Sequence, residues 1–239
     1  MAPIRIRPLN LGTIQRPKIQ FSFDFKELFN MIEAPLIAWY IEGSDRKILV
    51  DSGGEDLEKA ARRTLYARTA EQQLASALGR IGVRCEEIDL VIHTHLHWDH
   101  CGGNGHLPKA AFLVQQEELR SARNPLPLHA AGYAPEVLEN TPFTVVRGDA
   151  PVAEGVSVVF TPGHTTGMQA VLVEAETGRY VICGDTIALF ECAEKDPPSV
   201  GAIYVDLREY YASLGKIRAL AARILPGHDP KVFEKESYG

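Results

Sequence analysis

Residues 88–100 read Ile88-Asp89-Leu90-Val91-Ile92-His93-Thr94-His95-Leu96-His97-Trp98-Asp99-His100, and glycines follow at 102, 103 and 105. The short apolar run Ile88–Ile92 has the pattern of a buried strand, and it leads directly into a row of imidazoles and one carboxylate. Side chains alternate along extended chain, so His95 and His97 project to the same side. The chain then turns and can aim Asp99 and His100 at a neighbouring spot. Imidazole nitrogens and carboxylate oxygens are the ligands taken by Zn²⁺, and they also suit Mn²⁺, Fe²⁺ or Co²⁺. Four potential ligands within six residues exceed what one catalytic ion needs while keeping a position open, which points to two ions.

Three more punctuated sites supply further donors. Thr161-Pro162-Gly163-His164, Cys183-Gly184-Asp185 and Leu225-Pro226-Gly227-His228 each close an apolar run read as a strand. Taken singly, a histidine or a Gly-Asp at a strand end is ordinary turn chemistry. Beside the HxHxDH cluster the three form a set, because loops at a sheet edge are where functional side chains gather. The candidate metal-binding residues are therefore His95, His97, Asp99, His100, His164, Asp185 and His228. His93, one step earlier, reads as a buried or supporting histidine. His106 and His129 read as surface or loop residues, Cys101 as a small buried filler and Trp98 as packing.

Outward from this centre, Leu36–Ile41 and Lys47–Val50 read as a hairpin around Glu42-Gly43-Ser44-Asp45. Glu71–Ile81 carries Leu74, Leu78 and Ile81 at helical spacing and stops at Gly82. Ala110–Val114 reads as a strand and Gln116–Ala122 as a short helix. Residues 124–142, with four prolines, read as an irregular surface segment. Val156–Phe160, Ala170–Glu174, Tyr180–Cys183 and Arg223–Leu225 read as strands, and Leu207–Ala222 as a helix. Strands in groups with helices between the groups indicate sheets packed on each other, helices outside. Ile19–Phe25 alternates apolar and polar residues, which suits either an edge strand or the lining of a ligand pocket.

The 239 residues carry 25 basic and 31 acidic side chains, a formal charge of −6, 8 His and 4 Cys. Residues 1–239 are expected to form one domain. Net acidity argues against nucleic acid as the partner, and no apolar run of about 18 residues suggests a membrane span. With no apolar signal region and no CxxC pair, a cytoplasmic setting is expected.

The ordered series ILVDSG, HTHLHWDH, TPGHT, CGDT and PGH, from about residue 35 to 229, resembles the metallo-β-lactamase superfamily. The resemblance implies a four-layer αββα sandwich with a dinuclear metal site at one sheet edge, zinc being the leading choice of ion. It assigns His95, His97 and His164 to the first ion, Asp99, His100 and His228 to the second, and Asp185 as the carboxylate between them. Asp51 matches the aspartate that orients a ligand histidine. Hydrolysis by a metal-bridging hydroxide follows, with Asp99 and Asp185 as the catalytic carboxylates.

Within the superfamily, HTHLHWDHCGGN and the ending after PGHD are most similar to the N-acyl-homoserine lactonase and pyridoxolactonase-like branch. That branch implies opening of a small lactone and a homodimer. One departure concerns the substrate: the lactonases carry a tyrosine three residues after the bridging aspartate, and here that residue is Ala188. Tyr40, Tyr133 and Tyr204 are the candidate replacements. Alternatives on the same site are hydrolysis of another ester, thioester or cyclic amide, a persulfide dioxygenase-like enzyme with one iron, and a non-catalytic binding module. Thioesterases of the glyoxalase II type carry a helical C-terminal domain, whereas 11 residues follow His228 here.

Overall fold

A computed structural model of the chain describes residues 3–239. Its first sheet contains β1 (Arg5–Pro17), β2 (Met31–Glu42), β3 (Ile48–Val50), β4 (Leu65–Ala67), β5 (Leu90–Ile92), β6 (Ala111–Gln115) and β7 (Phe143–Val146), in the order β4-β1-β2-β3-β5-β6-β7. The second contains β8 (Ala150–Ala153), β9 (Val156–Phe160), β10 (Gln169–Ala175), β11 (Gly178–Ile182) and β12 (Arg223–Leu225), in the order β12-β11-β10-β9-β8. The α-helices are α1 (Leu57–Ala60), α2 (Leu74–Arg80), α3 (Trp98–Cys101), α4 (Gln116–Arg123), α5 (Pro135–Asn140), α6 (Phe190–Glu194) and α7 (Leu207–Ala219).

The two-residue period of the strands separates two apolar regions. Ile37, Trp39 and Ile41 of β2 join Val171 and Val173 of β10 and Ile182 of β11 in one buried cluster between the sheets. The intervening Leu36, Ala38 and Tyr40, with Ala170 and Leu172, belong to a second cluster on the outer faces. That cluster also holds Leu74, Ala77 and Leu78 of α2 and Tyr210, Leu214 and Ile217 of α7. Helices therefore cover outer faces while the inner faces meet, the layered αββα arrangement expected from the grouped strands.

Strand direction gathers the loops. Strands β3, β5 and β6 run parallel. In the second sheet β9 and β11 both run antiparallel to β10, and β12 is parallel to β11. The C-terminal ends of β9, β11 and β12 consequently lie on one edge, each followed by one of the punctuated sites.

Several elements differ from the sequence expectation. Strand β1 is 13 residues long and pairs with both β2 and β4, although its prolines and arginines show no clean alternation. Strands β7 and β8 also escape the pattern. They are four residues long and half-buried or exposed, so no apolar run marks them. Ile19–Phe25 is not an edge strand: it contains 3₁₀ turns at Lys18–Gln20 and Phe25–Glu27. Residues 124–142 hold a helix, α5, with Pro135 in its first turn, where the missing N–H costs nothing. No helix among the described residues is long and apolar enough to cross a membrane.

Trp39 is 1% exposed in the layer between the sheets. Trp39→Ala is expected to cost about 3–5 kcal/mol, read as a lower midpoint of chemical unfolding at unchanged slope. An unchanged midpoint would place the main stabilising contacts elsewhere.

Candidate metal centre

Asp51 ends β3 with φ +59°, a left-handed conformation uncommon outside glycine, asparagine and aspartate. The strained turn aims its buried carboxylate at the loop after β5. Oδ1 accepts from the Thr94 backbone N–H at 2.8 Å, and Oδ2 accepts from Thr94 Oγ1 and from His100 Nδ1, each at 2.8 Å. Burial opposes charge on Asp51, but the adjacent His100 and His93 outweigh it and hold its pKa below the usual range.

These bonds fix which nitrogen of each ring carries a proton. His100 gives Nδ1–H to Asp51. His164 donates Nδ1–H to the Ile203 carbonyl at 2.8 Å, and His228 donates Nδ1–H to the Pro35 carbonyl at 2.9 Å. Thr94 Oγ1, whose hydrogen goes to Asp51, accepts from His95 Nδ1 at 3.2 Å. Each of these rings turns Nε2 inward, the nitrogen that binds metal when it carries no proton. His97 is reversed and presents Nδ1.

The donors converge in two groups. His95 Nε2 and His164 Nε2 lie 2.9 and 3.1 Å from His97 Nδ1. His100 Nε2 lies 3.3 Å from His228 Nε2, and Asp99 joins this pair in a second group. Asp185 stands between the groups. Its Oδ2 is 3.3 Å from His164, while Oδ1 is 3.3 Å from His100 and 3.1 Å from His228. The structure thus brings together all seven candidate residues.

This set fits a cation. Asp185 Oδ1 is buried and has no aligned hydrogen-bond donor despite its close neighbours. Three imidazole nitrogens meet at His97 Nδ1, where a single N–H can satisfy only one contact. Burial, with neighbouring imidazoles, pushes His95 and His97 well below the usual pKa and keeps them neutral. Burial also works against charge on His100 and His228, but the surrounding carboxylates together outweigh it, Asp185 with Asp51 and Asp99 at His100 and Asp185 with Asp99 at His228, and raise both pKa values.

Close backbone approach shapes the surroundings. Gly163 has φ +136°, and a Cβ there would lie 2.3 Å from Tyr210 Cα, so the His164 loop needs glycine to pack on α7. Tyr210 Oη, in turn, donates to the Asp185 carbonyl. A Cβ at Gly132 would lie 2.9 Å from His97 Nε2. The turn holding Gly132 therefore sits directly over His97, and residues 124–142 form a wall of the site rather than remote surface.

A cavity of about 1260 Å³ opens over the centre, with His97, Asp99, His164, Asp185 and His228 on its floor. Phe21, Trp98, Leu128, Ile203 and Tyr204 supply apolar wall. Phe21 packs its ring 5.1 Å from that of His228, and of the alternating 19–25 stretch Gln20 and Phe21 line the pocket. His129, read from sequence as a surface or loop residue, lies in a turn and is half-buried on the cavity wall. His106 is exposed, Cys101 is a buried core residue, and His93 is fully buried and stacked on Phe112. Ala188 is packed in the core. Of the three tyrosines considered in its place, Tyr40 is in the outer core, Tyr133 packs on His97, and Tyr204 reaches the cavity.

Glu118 was not foreseen. It is fully buried on α4 and accepts from the Leu96 N–H at 2.9 Å and the Gly167 N–H at 3.1 Å, joining the two loops that carry His95, His97 and His164. Burial raises its pKa, opposed by those two N–H groups. The available sequence signal was weak: Glu118 lies one turn before Ala122, on the buried side of a helix otherwise rich in charge.

Comparisons with known proteins agree with this fold. The metallo-beta-lactamase superfamily profile matches residues 38–228. The N-acyl homoserine lactonase of Bacillus cereus is 28% identical over 216 residues, covering 84% of this chain and 83% of that one. A crystal structure of a quorum-quenching N-acyl homoserine lactone hydrolase superposes with a TM-score of 0.82 at 25% identity, over 97% of this chain and 94% of the other. AidC, a dizinc quorum-quenching lactonase in complex with a product, shares the fold with a TM-score of 0.72 at 18% identity, over 95% and 88% of the two chains.

Asp51→Asn tolerates the left-handed backbone but removes the charge behind His100. It is expected to weaken metal binding about 10–100-fold, measured by competition with a chromogenic chelator; equal affinity would detach Asp51 from the site. Glu118→Ala strands two buried N–H groups and should cost about 1–3 kcal/mol for each. The check is denaturant unfolding, and a loss below about 1 kcal/mol would refute the staple.

Proposed function

The chain belongs to the metallo-beta-lactamase superfamily, and from that premise we propose that it is a dinuclear-metal hydrolase that opens small lactones. One observation carries the reading: seven donor side chains meet as two groups with Asp185 between them. In this reading His95, His97 and His164 hold one divalent ion, Asp99, His100 and His228 hold the other, and Asp185 holds both. Zinc suits the nitrogen-rich set best, with Mn²⁺, Fe²⁺ and Co²⁺ able to replace it. Such a pair, when bound, lowers the pKa of water toward neutrality and polarises a carbonyl or leaving oxygen.

The chain's own groups account for the remaining steps. The cavity admits a ring and a tail, and Phe21, Leu128, Ile203 and Tyr204 cover apolar parts of the ligand. In this reading Tyr204, which lines the cavity, donates a hydrogen bond to substrate, the part left open by Ala188. Burial opposes charge on Asp185, yet the imidazoles of His228, His100 and His164 hold it well below the usual carboxylate range. Asp99 is half-buried on the cavity floor and, in this reading, takes up the proton released as water adds to the carbonyl and passes it to the departing ring oxygen as the ring C–O bond breaks. The curated relative in Bacillus cereus, an N-acyl homoserine lactonase, supports the lactone as substrate class.

Metal analysis with a lactone panel tests the proposal. Two ions per chain and ring opening of at least one lactone are expected, and Asp99→Asn should lower kcat about 10²–10⁴-fold. A protein loaded with two ions that opens no lactone or ester would end the hydrolase reading. One iron per chain with oxygen consumption would move the chain to oxygenase chemistry.

A further inference from the structure

The cavity has a second polar pole, remote in sequence from the ligand cluster. Arg16, Lys59, Arg62 and Arg63 all lie on its wall, with Glu55, Glu58 and Glu136. Two of the cations are already neutralised. Arg63 Nε donates to Glu55 Oε2 at 2.9 Å, and Lys59 pairs with Glu136. Arg62 is exposed to water, which screens its charge.

Arg16 differs from these. It is half-buried near the end of β1, and in the two-residue period of that strand it follows Ile14, which also lines the cavity. Its partner across the ladder is Ile32, not an acid. Among the described residues no carboxylate lies within 4.0 Å of its guanidinium and no hydrogen bond from it is formed. Gln20, also half-buried on this wall, likewise has no side-chain hydrogen bond. Planar N–H donors on a cavity wall, with no acceptor from the protein, suit an oxyanion of the ligand.

Building on the lactonase reading above, we propose that the substrate carries an anionic oxyacid group, a carboxylate or a phosphate, which Arg16 binds while the lactone carbonyl lies over the His/Asp cluster. One cavity then holds both ends of the ligand: the reacting ring at the floor and the anion at the β1 wall. The apolar side chains between, Phe21 and Ile14 among them, fit the carbon skeleton joining the two.

The test uses matched γ-lactones whose tails end in a carboxylate, a phosphate or a neutral methyl ester of the same length. With the metal-loaded wild-type enzyme, at least one anionic member is expected to exceed the neutral one about 10-fold or more in kcat/KM, chiefly through KM. Added salt should erode that preference. Arg16→Gln should abolish the preference while leaving the neutral lactone unchanged, and Arg16→Lys should keep part of it. Equal or better turnover of the neutral lactone by wild type overturns the proposal, as does a variant that slows all three alike. Calorimetric binding of the ring-opened hydroxy acids, bearing either the second anion or its methyl ester, separates this from the lactonase reading. If no lactone is opened but the second anion tightens binding through Arg16, the anion site stands and the lactonase reading falls. If the second anion adds nothing to binding, the anion site falls.

Discussion

The carboxylate of Asp51 is the fixed point around which the centre is built. A buried anion requires donors on every lone pair it exposes, and Asp51 obtains them from the Thr94 backbone, the Thr94 hydroxyl and His100 Nδ1. Those three bonds hold β3 to the loop after β5. They also set the tautomer of His100 directly and that of His95 through Thr94. The left-handed backbone at Asp51 persists because the hydrogen bonds over-determine it. Remove this carboxylate, and the inward-facing nitrogens of His100 and His95 lose the partner that orients them.

From that point the two sheets divide the labour. The first supplies His95, His97, Asp99 and His100 from one loop, so their relative placement is largely local. The second supplies His164, Asp185 and His228 from three loops distant in sequence. Their meeting depends on β9, β11 and β12 sharing one direction and on close backbone contacts such as Gly163 against Tyr210. Glu118 then ties the first sheet's loop to the His164 loop through two backbone N–H groups. The centre is thus held by polar contacts across the sheets, while the apolar layer between the sheets fixes their spacing.

The cavity walls come from segments with little pattern of their own. Residues 128–136 close over His97, the 202–204 segment brings Ile203 and Tyr204, and β1 brings Ile14 and Arg16. Loops on a rigid edge can vary the ligand without disturbing the ligating residues. The same division explains why Ala188 does not disturb the metal centre: its side chain is core, and its backbone carbonyl accepts from the His228 N–H.

The sequence alone determined the chemistry of the floor. HxHxDH, and single donors after Gly or Pro at three strand ends, are local patterns, and a two-residue period together with turn residues is enough to place them. It also indicated packed sheets with outer helices, since the apolar runs of β2, β5, β9, β10 and β11 are explicit. Only the tertiary structure decided the rest. Strands β1, β7 and β8 are stabilised by their neighbours, not by an apolar pattern. The polar Glu118 is buried because two loops present their N–H groups to it. Phe21, His129 and Arg16 belong to the cavity because distant segments enclose them. Whether a charged or aromatic side chain is surface or site depends on what packs opposite it, and that information is non-local.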